Sequence, residues 1–315
     1  MRIAINAWFL NQPGTGSGQY LQGLLRAMPE AAAEHQFLFV SPLEGLQLRI
    51  PGLDIEFWSL RPIFRSRYLD KVLFEQIGFP RVCRRWGADL AHVPYWGSSL
   101  RPTVPTVVTV HDLGHRAFPD AHTPGQRRYL EWSTRYHVSA AAHLVADSEA
   151  TKQDLVRLYG ADEARVTVVH LGVDPGLKPV RDPAELARVR AKYGLGPAYV
   201  LYVGTLQPRK NLVRLIHAYA AAKVPHKLVL AGKQGWLAEP ILTEINNQSS
   251  IVMPGFIEGH GHFTGLGRSK MILDLTAVAN FDEISCLSGG LGRMPMVHLM
   301  AIALANAHRL TKFGA

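Results

Sequence analysis

Apolar and polar positions alternate along this chain with two periods. Short continuous apolar runs, bounded by glycine, proline or acids, predict buried parallel strands over residues 2–7, 37–41, 55–58, 89–93, 106–110, 144–146 and 166–169. Between them, apolar residues recur at three- and four-residue spacing, which predicts helices over 20–28, 126–142 and 150–159. Pro175, Pro179 and Pro183 punctuate a connector, and 183–193 reads as a surface helix. A second series then starts, with strands over 199–203, 227–231 and 251–252 and helices between them. Strands alternating with helices predict an α/β class with parallel sheets. We expect two Rossmann-like domains facing a cleft: residues 1–174, a linker over 175–195, and residues 196–315, with the second domain incomplete.

The densest chemistry lies where the strand 199–203 hands over to the helix starting at Leu212. Gly204 turns the chain, and Arg209 and Lys210 stand at the helix start. Free backbone N–H groups and the helix dipole favour an anion there. Arg209 can fork onto phosphate oxygens, and Lys210 adds a point charge. Two adjacent cations at that helix end oppose the dipole unless an anion joins them. This reads as a diphosphate site at the carboxyl edge of a parallel sheet; an exposed basic turn without a ligand is the alternative. The first strand leads into a similar arrangement, the loop 11–18 with Gly14, Gly16 and Gly18. Its spacing departs from the dinucleotide G-x-G-x-x-G, and no ribose-binding acid follows a second strand.

Composition adds a charge bias. The chain of 315 residues has 34 Lys and Arg against 25 Asp and Glu, a formal net charge of +9. Such an excess suits nucleotides, anionic lipid headgroups or nucleic acid. Nucleic acid fits least, because the cations are dispersed and no finger, basic zipper or stacking-aromatic signature occurs. Cys83 and Cys286 do not make a disulfide framework or a zinc site, which fits a reducing compartment. The N-terminal apolar run is too short for a signal peptide. The apolar run 296–305 falls short of the roughly 20 residues that span a bilayer. The expected location is cytoplasmic, or peripheral at the inner face of the cell membrane. The segment from Arg61 to Trp86 interleaves Arg61, Arg65, Arg67, Lys71, Arg81, Arg84 and Arg85 with Phe64, Tyr68 and Phe74. It reads either as a solvated helix packed on its own domain or as a surface facing an anionic membrane.

Several motifs, in order, resemble glycosyltransferase family 4, retaining enzymes of the two-domain GT-B fold. Gly16-Ser17-Gly18-Gln19-Tyr20 looks like the family's first glycine loop. Val107 to Leu113 looks like its central strand and histidine, and Val145 to Leu155 like its serine-bearing turn and helix. Val168 to Asp174 resembles the interdomain V-x-x-G-V-D, and Gly204 to Asn211 matches G-T-x-x-P-R-K-N. The resemblance covers roughly residues 1–257. It implies transfer of a sugar, with retention, from a nucleotide-sugar donor to a polysaccharide or lipid-linked glycan. It implies that Arg209 and Lys210 bind the diphosphate, that Gly16 and Gly18 admit the donor, and that His111 sits near the transferred sugar. It also implies that no metal or other cofactor is needed. Asp112 then orients its loop or serves a turn. Ser148 is a helix cap with an acceptor-side alternative.

After Gly255-Phe256-Ile257 the family pattern stops. The family continues with two glutamates eight positions apart, in E-G-[FS]-G-L-x-x-x-E. Here Glu258-Gly259-His260-Gly261 imitates the first half, but Leu266 stands where the second glutamate belongs. Glu258 is therefore the weakest donor-site candidate. Residues 259–315 lack Trp and Tyr and hold Met271, Met294, Met296 and Met300, four of the chain's seven methionines. A shifted or truncated reading frame would explain that texture, and a divergent intact enzyme is the alternative. Three readings compete: an active glycosyltransferase, an inactive remnant that still binds nucleotide, and a non-catalytic basic binding protein.

Overall fold

The computed structural model describes residues 1–254, except 13, 32–33, 43–49, 62, 65, 96, 120–122, 174–178 and 236. The expectations for Glu258 and for the segment after residue 257 lie outside the described residues. The chain divides into two compact units, the first spanning Met1–Val173 and the second starting at Asp174.

The first unit runs β1 (Arg2–Asn6), α1 (Gly16–Ala31), β2 (Gln36–Ser41), β3 (Asp54–Ser59), α2 (Arg67–Leu73), a π-helical turn (Phe74–Gly78) and α3 (Phe79–Trp86). It continues with β4 (Leu90–Val93), β5 (Thr106–Val110), α4 (Gly114–Ala117), α5 (Pro124–Ala140), β6 (His143–Ala146), α6 (Glu149–Tyr159) and β7 (Val166–Val168). The seven strands form one sheet in the order β3-β2-β1-β4-β5-β6-β7. All six pairings are parallel. The order reverses between β1 and β4, so the crevice at their carboxyl ends is the natural ligand position.

Both faces of this sheet are covered, so its strands are apolar on both sides. Ala4, Leu38, Val40, Val108, Val110 and Leu144 pack with Phe79, Val82, Cys83 and Trp86 of α3, Val138 of α5 and Leu155 of α6. Ile3, Ile5, Phe37, Phe39, Val107 and Val145 face the other way, against Leu21, Leu24, Leu25 and Met28 of α1. Those four residues fall at i, i+3, i+4 and i+7, one stripe of a helix.

The helix expected from residue 20 begins earlier, at Gly16. Thr15 starts it: its Oγ1 accepts from the Gly18 N–H at 3.1 Å, and its carbonyl accepts from Gln19. A threonine N-cap is strong enough to carry two glycines into the first turn. Gly16 and Gly18 are thus helical residues, and the loop that precedes them is shorter than expected.

The second unit holds α7 (Pro183–Tyr193), β8 (Tyr199–Val203), a 3-10 turn (Pro208–Lys210), α8 (Leu212–Ala222), β9 (Lys227–Ala231), α9 (Glu239–Asn246) and β10 (Ile251–Val252). Its three described strands are parallel in the order β10-β9-β8. Leu212 and Ile216 of α8, Ile241 and Ile245 of α9, and Leu228, Leu230 and Ile251 of the sheet form its core.

Candidate active site

The carboxyl edge of the first sheet gathers the polar residues of this unit. The register pairs Val110 of β5 with Ala146 of β6. The next residue on each strand, His111 and Asp147, therefore stand side by side. His111 Nδ1 lies 2.6 Å from Asp147 Oδ2, and Nε2 lies 3.1 Å from the Pro94 carbonyl at the exit of β4. Tyr20 of α1 sets its ring edge-on to His111, with centroids 5.1 Å apart. Beneath them, Thr109 Oγ1 meets Tyr20 Oη at 3.3 Å and His92 Nε2 at 3.0 Å. Burial raises the Tyr20 hydroxyl well above the ordinary phenol range. Burial, and then the charge of His111, push His92 down to about 3. His92 is thus a neutral core group.

The other named residues of this edge serve the local chain. Asp112 Oδ1 accepts from the Gly114 N–H at 2.9 Å and so opens α4. Ser148 caps α6, its Oγ accepting from the Thr151 N–H at 3.2 Å. Thr151 Oγ1 in turn donates to the His111 carbonyl at 3.4 Å, tying α6 to the exit of β5. Gly18 is buried, and a Cβ there would lie 2.0 Å from the Gln12 carbonyl oxygen and 2.8 Å from that of Phe9. Its missing side chain is what lets α1 approach the loop before it. Gly16 is exposed, and a Cβ added to it would meet nothing within 4 Å.

Sequence reasoning missed Asp147 as a partner of His111. The signal was there: both residues directly follow adjacent apolar strands of one parallel sheet. It also missed a charged pair at the switch point. Asn6 ends β1, and its Oδ1 accepts from Tyr95 Oη at 2.7 Å. Tyr95 lies against Lys71, whose ammonium stands 4.9 Å from the ring centroid and pairs with Glu75 of the π-helical turn. Burial pushes the Glu75 carboxyl up to about 7, against the pull of Lys71. The many cations and aromatics of 61–86 hid this acid.

In the second unit, β8 ends in Gly204, whose N–H bonds the Ala231 carbonyl at 2.9 Å. The strand exits stay joined: Leu206 bridges to the chain after β9 through Lys233 and Gly235, both at 2.8 Å. Gly232 permits this, since a Cβ on it would lie 1.9 Å from the Gly204 carbonyl oxygen. Arg209 and Lys210 occupy the 3-10 turn directly before α8, which starts at Leu212 as expected. Asn211 separates them from the helix with φ 55°, and no side chain caps α8. Its first N–H groups thus carry no side-chain acceptor. Arg209 is half-buried and Lys210 exposed, and neither makes an ion pair among the described residues. Burial raises Tyr202, and the nearby Arg209 opposes that rise. Two cations thus stand beside an uncapped helix end at the edge of a parallel sheet, the arrangement expected of an anion site.

Parallel sheets with their crossover helices define a Rossmann-like α/β class. The model of Glycosyltransferase Family 4 matches residues 14–177, just over half of the chain, and the chain belongs to that family. It is 31% identical over 135 residues to O-antigen chain mannosyltransferase B of Escherichia coli, covering 41% of this chain and 35% of that protein. It is 37% identical over 175 residues to D-inositol 3-phosphate glycosyltransferase 2 of Catenulispora acidiphila, covering 48% of this chain and 40% of that protein. The matched segments thus span well under half the length of these relatives. Among solved structures, the fold is similar to WaaG, a glycosyltransferase involved in lipopolysaccharide biosynthesis, with a TM-score of 0.54 and 15% identity over 80% of this chain and 69% of that one. It is equally similar to Anabaena HepE in complex with UDP-glucose, with a TM-score of 0.54 and 15% identity over 80% and 68% of the two chains. These likenesses support the GT-B fold class.

Proposed function

We propose that this chain is a retaining glycosyltransferase that moves a sugar from a nucleotide-sugar to a polysaccharide or lipid-linked glycan. The turn 208–210 carries the reading: it sets Arg209 and Lys210 beside the uncapped start of α8. In this reading the two cations and the helix N–H groups hold the donor diphosphate. Negative charge grows on the diphosphate as the sugar leaves, so fixed cations stabilise the transition state more than the ground state. They take the part that a metal plays elsewhere, and the reading assigns no metal. The domain assignment follows: residues 1–174 serve the acceptor and residues 196–315 the donor. The relative named for O-antigen chains supports a glycan acceptor, whereas the one named for D-inositol 3-phosphate points to a small phosphorylated polyol.

The exposed surface near α2 supports a peripheral location at the inner face of the membrane. Ile63 and Tyr68 are 73% and 61% exposed, and Phe64, Leu69 and Ile77 are exposed beside them. An apolar groove of about 200 Å³ adjoins them, lined by Trp8, Leu60, Ile63, Leu73, Phe74 and Ile77, with Arg61 and Arg81 at its margin. Exposed apolar side chains with Arg61 and Arg81 beside them, and Asp70 as the acid of the lining, suit an anionic lipid surface. No described helix is long and apolar enough to cross a membrane.

The test is calorimetry with UDP and GDP, followed by donor hydrolysis and transfer assays across several nucleotide-sugars. Binding with turnover is the expected result. Binding without turnover would favour the second reading, a protein that holds nucleotide but transfers nothing. The absence of a glutamate eight positions after Glu258 favours that alternative. Salt-sensitive binding to any polyanion, without preference for a diphosphate, would overturn both.

A further inference from the structure

We propose that Asp147 is a positioning residue for His111. Its carboxylate holds the ring as a donor at both nitrogens, so that His111 offers substrate oxygens a hydrogen bond and does not act as a proton acceptor. The inference rests on the reading of His111 as a site residue.

The two ring nitrogens face two groups that can only accept. Nδ1 is 2.6 Å from Asp147 Oδ2, and Nε2 is 3.1 Å from the Pro94 carbonyl. A neutral ring has one N–H and would turn a lone pair toward one of these oxygens. A ring with a proton on each nitrogen satisfies both. The other Asp147 oxygen, Oδ1, is buried and finds no hydrogen-bond partner among the described residues. The carboxylate is therefore answered chiefly by His111, and a buried carboxylate left unanswered is costly. The surrounding groups do not compete. His92 is neutral and reaches Thr109, Tyr20 presents its ring edge, and His170 Nδ1 meets the Asp147 backbone carbonyl at 3.2 Å. Thr151 pins the His111 backbone from α6. A substrate oxygen that displaces the Pro94 carbonyl inherits a donor already aimed, at no cost in reorganisation.

The experiment uses the full chain labelled with ¹⁵N-histidine. Both His111 ring nitrogens should appear in the N–H form, and the Nδ1 proton should resonate far downfield. His111→Gln assigns the signals by removing them. Asp147→Asn keeps size and an acceptor oxygen but not the charge, and should move the Nδ1 proton upfield. In transfer assays Asp147→Asn should lower kcat by about ten- to a hundredfold, the range a charged hydrogen bond supports, with KM within about twofold. A single protonated nitrogen in the unmodified chain would overturn the proposal, and so would a ring spectrum unchanged in Asp147→Asn. The spectra of the unmodified chain need no turnover. Absent turnover would therefore count against the transferase reading alone.

Discussion

The two sheet edges share one grammar, a parallel strand followed by a turn and a helix, yet they use their polar groups differently. At the edge of the seven-stranded sheet the site side chains are tied to other parts of the same unit, with Asp147 Oδ1 left without a partner among the described residues. His111 is held between Asp147 and Pro94, Ser148 caps α6, and Asp112 opens α4. At the edge of the three-stranded sheet, Arg209 and Lys210 form no ion pair among the described residues, and α8 has no side-chain cap. The strands differ in the same sense. β4, β5 and β6 are buried throughout, whereas Val200 and Val203 of β8 are 39% and 49% exposed. A hydrogen-bonded network fixes geometry, and an unanswered pair of cations leaves binding capacity. The first edge therefore suits positioning and the second suits capture of an anion.

The largest effect that would test this contrast is Gly18→Ala. A methyl there meets backbone carbonyls, which cannot swing aside as a side-chain tip can. We expect a loss of about 3 kcal/mol or more, at the upper end of overpacking, read from denaturant midpoints. A loss under about 1 kcal/mol would show that the loop 9–12 yields, and that this edge is less rigid than its hydrogen bonds imply.

Acid should separate the two edges next. His92 and His137 are neutral and buried, with burial pushing them down to about 3 and about 4. Their folded values lie below the ordinary 6.5, so the unfolded chain binds protons first. Stability is then present above pH 6.5 and is lost as pH falls toward those values, at about 1.4 kcal/mol per pH unit for each histidine. Glu75 has the opposite sign. Its folded value of about 7 lies above the ordinary 4.5, so its contribution is full below 4.5 and is lost as pH rises through about 7. Between pH 6.5 and 4.5 these three groups together should cost a net of about 1.4 kcal/mol per unit on acidification, and His143, also lowered by burial, adds to the loss. Amide exchange along β4 and β5, compared with β8 and β9, reads this directly. His92→Gln should make the slope shallower by about half of the histidine share. Equal acid sensitivity in both sheets would remove the contrast.

Much of this was legible in the sequence because strands buried on two faces are continuous apolar runs. The runs 106–110 and 199–203 became β5 and β8 with the expected bounds. The serine cap of α6 could be read, because Ser148 stands directly before a helical pattern. What escaped depends on pairing across the sheet. His111 and Asp147 are 36 positions apart and meet only through the β5–β6 register. Gly18 gave no hint that its neighbour would be a carbonyl of its own loop. The π-helical turn shifts the helical phase by one residue, so the spacing of 61–86 could not show that Glu75 is buried with Phe74.

Nucleotide binding tests the other side of the contrast. Arg209→Ala should weaken UDP or GDP binding by about 1.5–3 kcal/mol, the scale of a charged, forked hydrogen bond. Lys210→Ala should cost less, because a flexible point charge is more easily replaced by water and salt. Calorimetry in low and high salt separates the two. Unchanged affinity in a folded Arg209→Ala protein would remove the phosphate assignment and leave the second edge a plain basic turn.

The smallest effect is the most discriminating for the glycines. Gly16 is helical and exposed, and a methyl there meets nothing within 4 Å. Alanine narrows the unfolded ensemble and favours the helix, so Gly16→Ala should stabilise the protein by about 0.5–1 kcal/mol. That gain is what the fold alone requires, and it opposes the large loss expected at Gly18 two positions on. If Gly16 also gives a donor room to approach the backbone, the same substitution should weaken donor binding or turnover while the protein becomes more stable. Melting midpoints and donor calorimetry on one preparation separate the outcomes. A more stable protein with unchanged donor affinity would confine the first glycine loop to packing, through Gly18 alone. A more stable protein that binds donor poorly would assign Gly16 to the ligand.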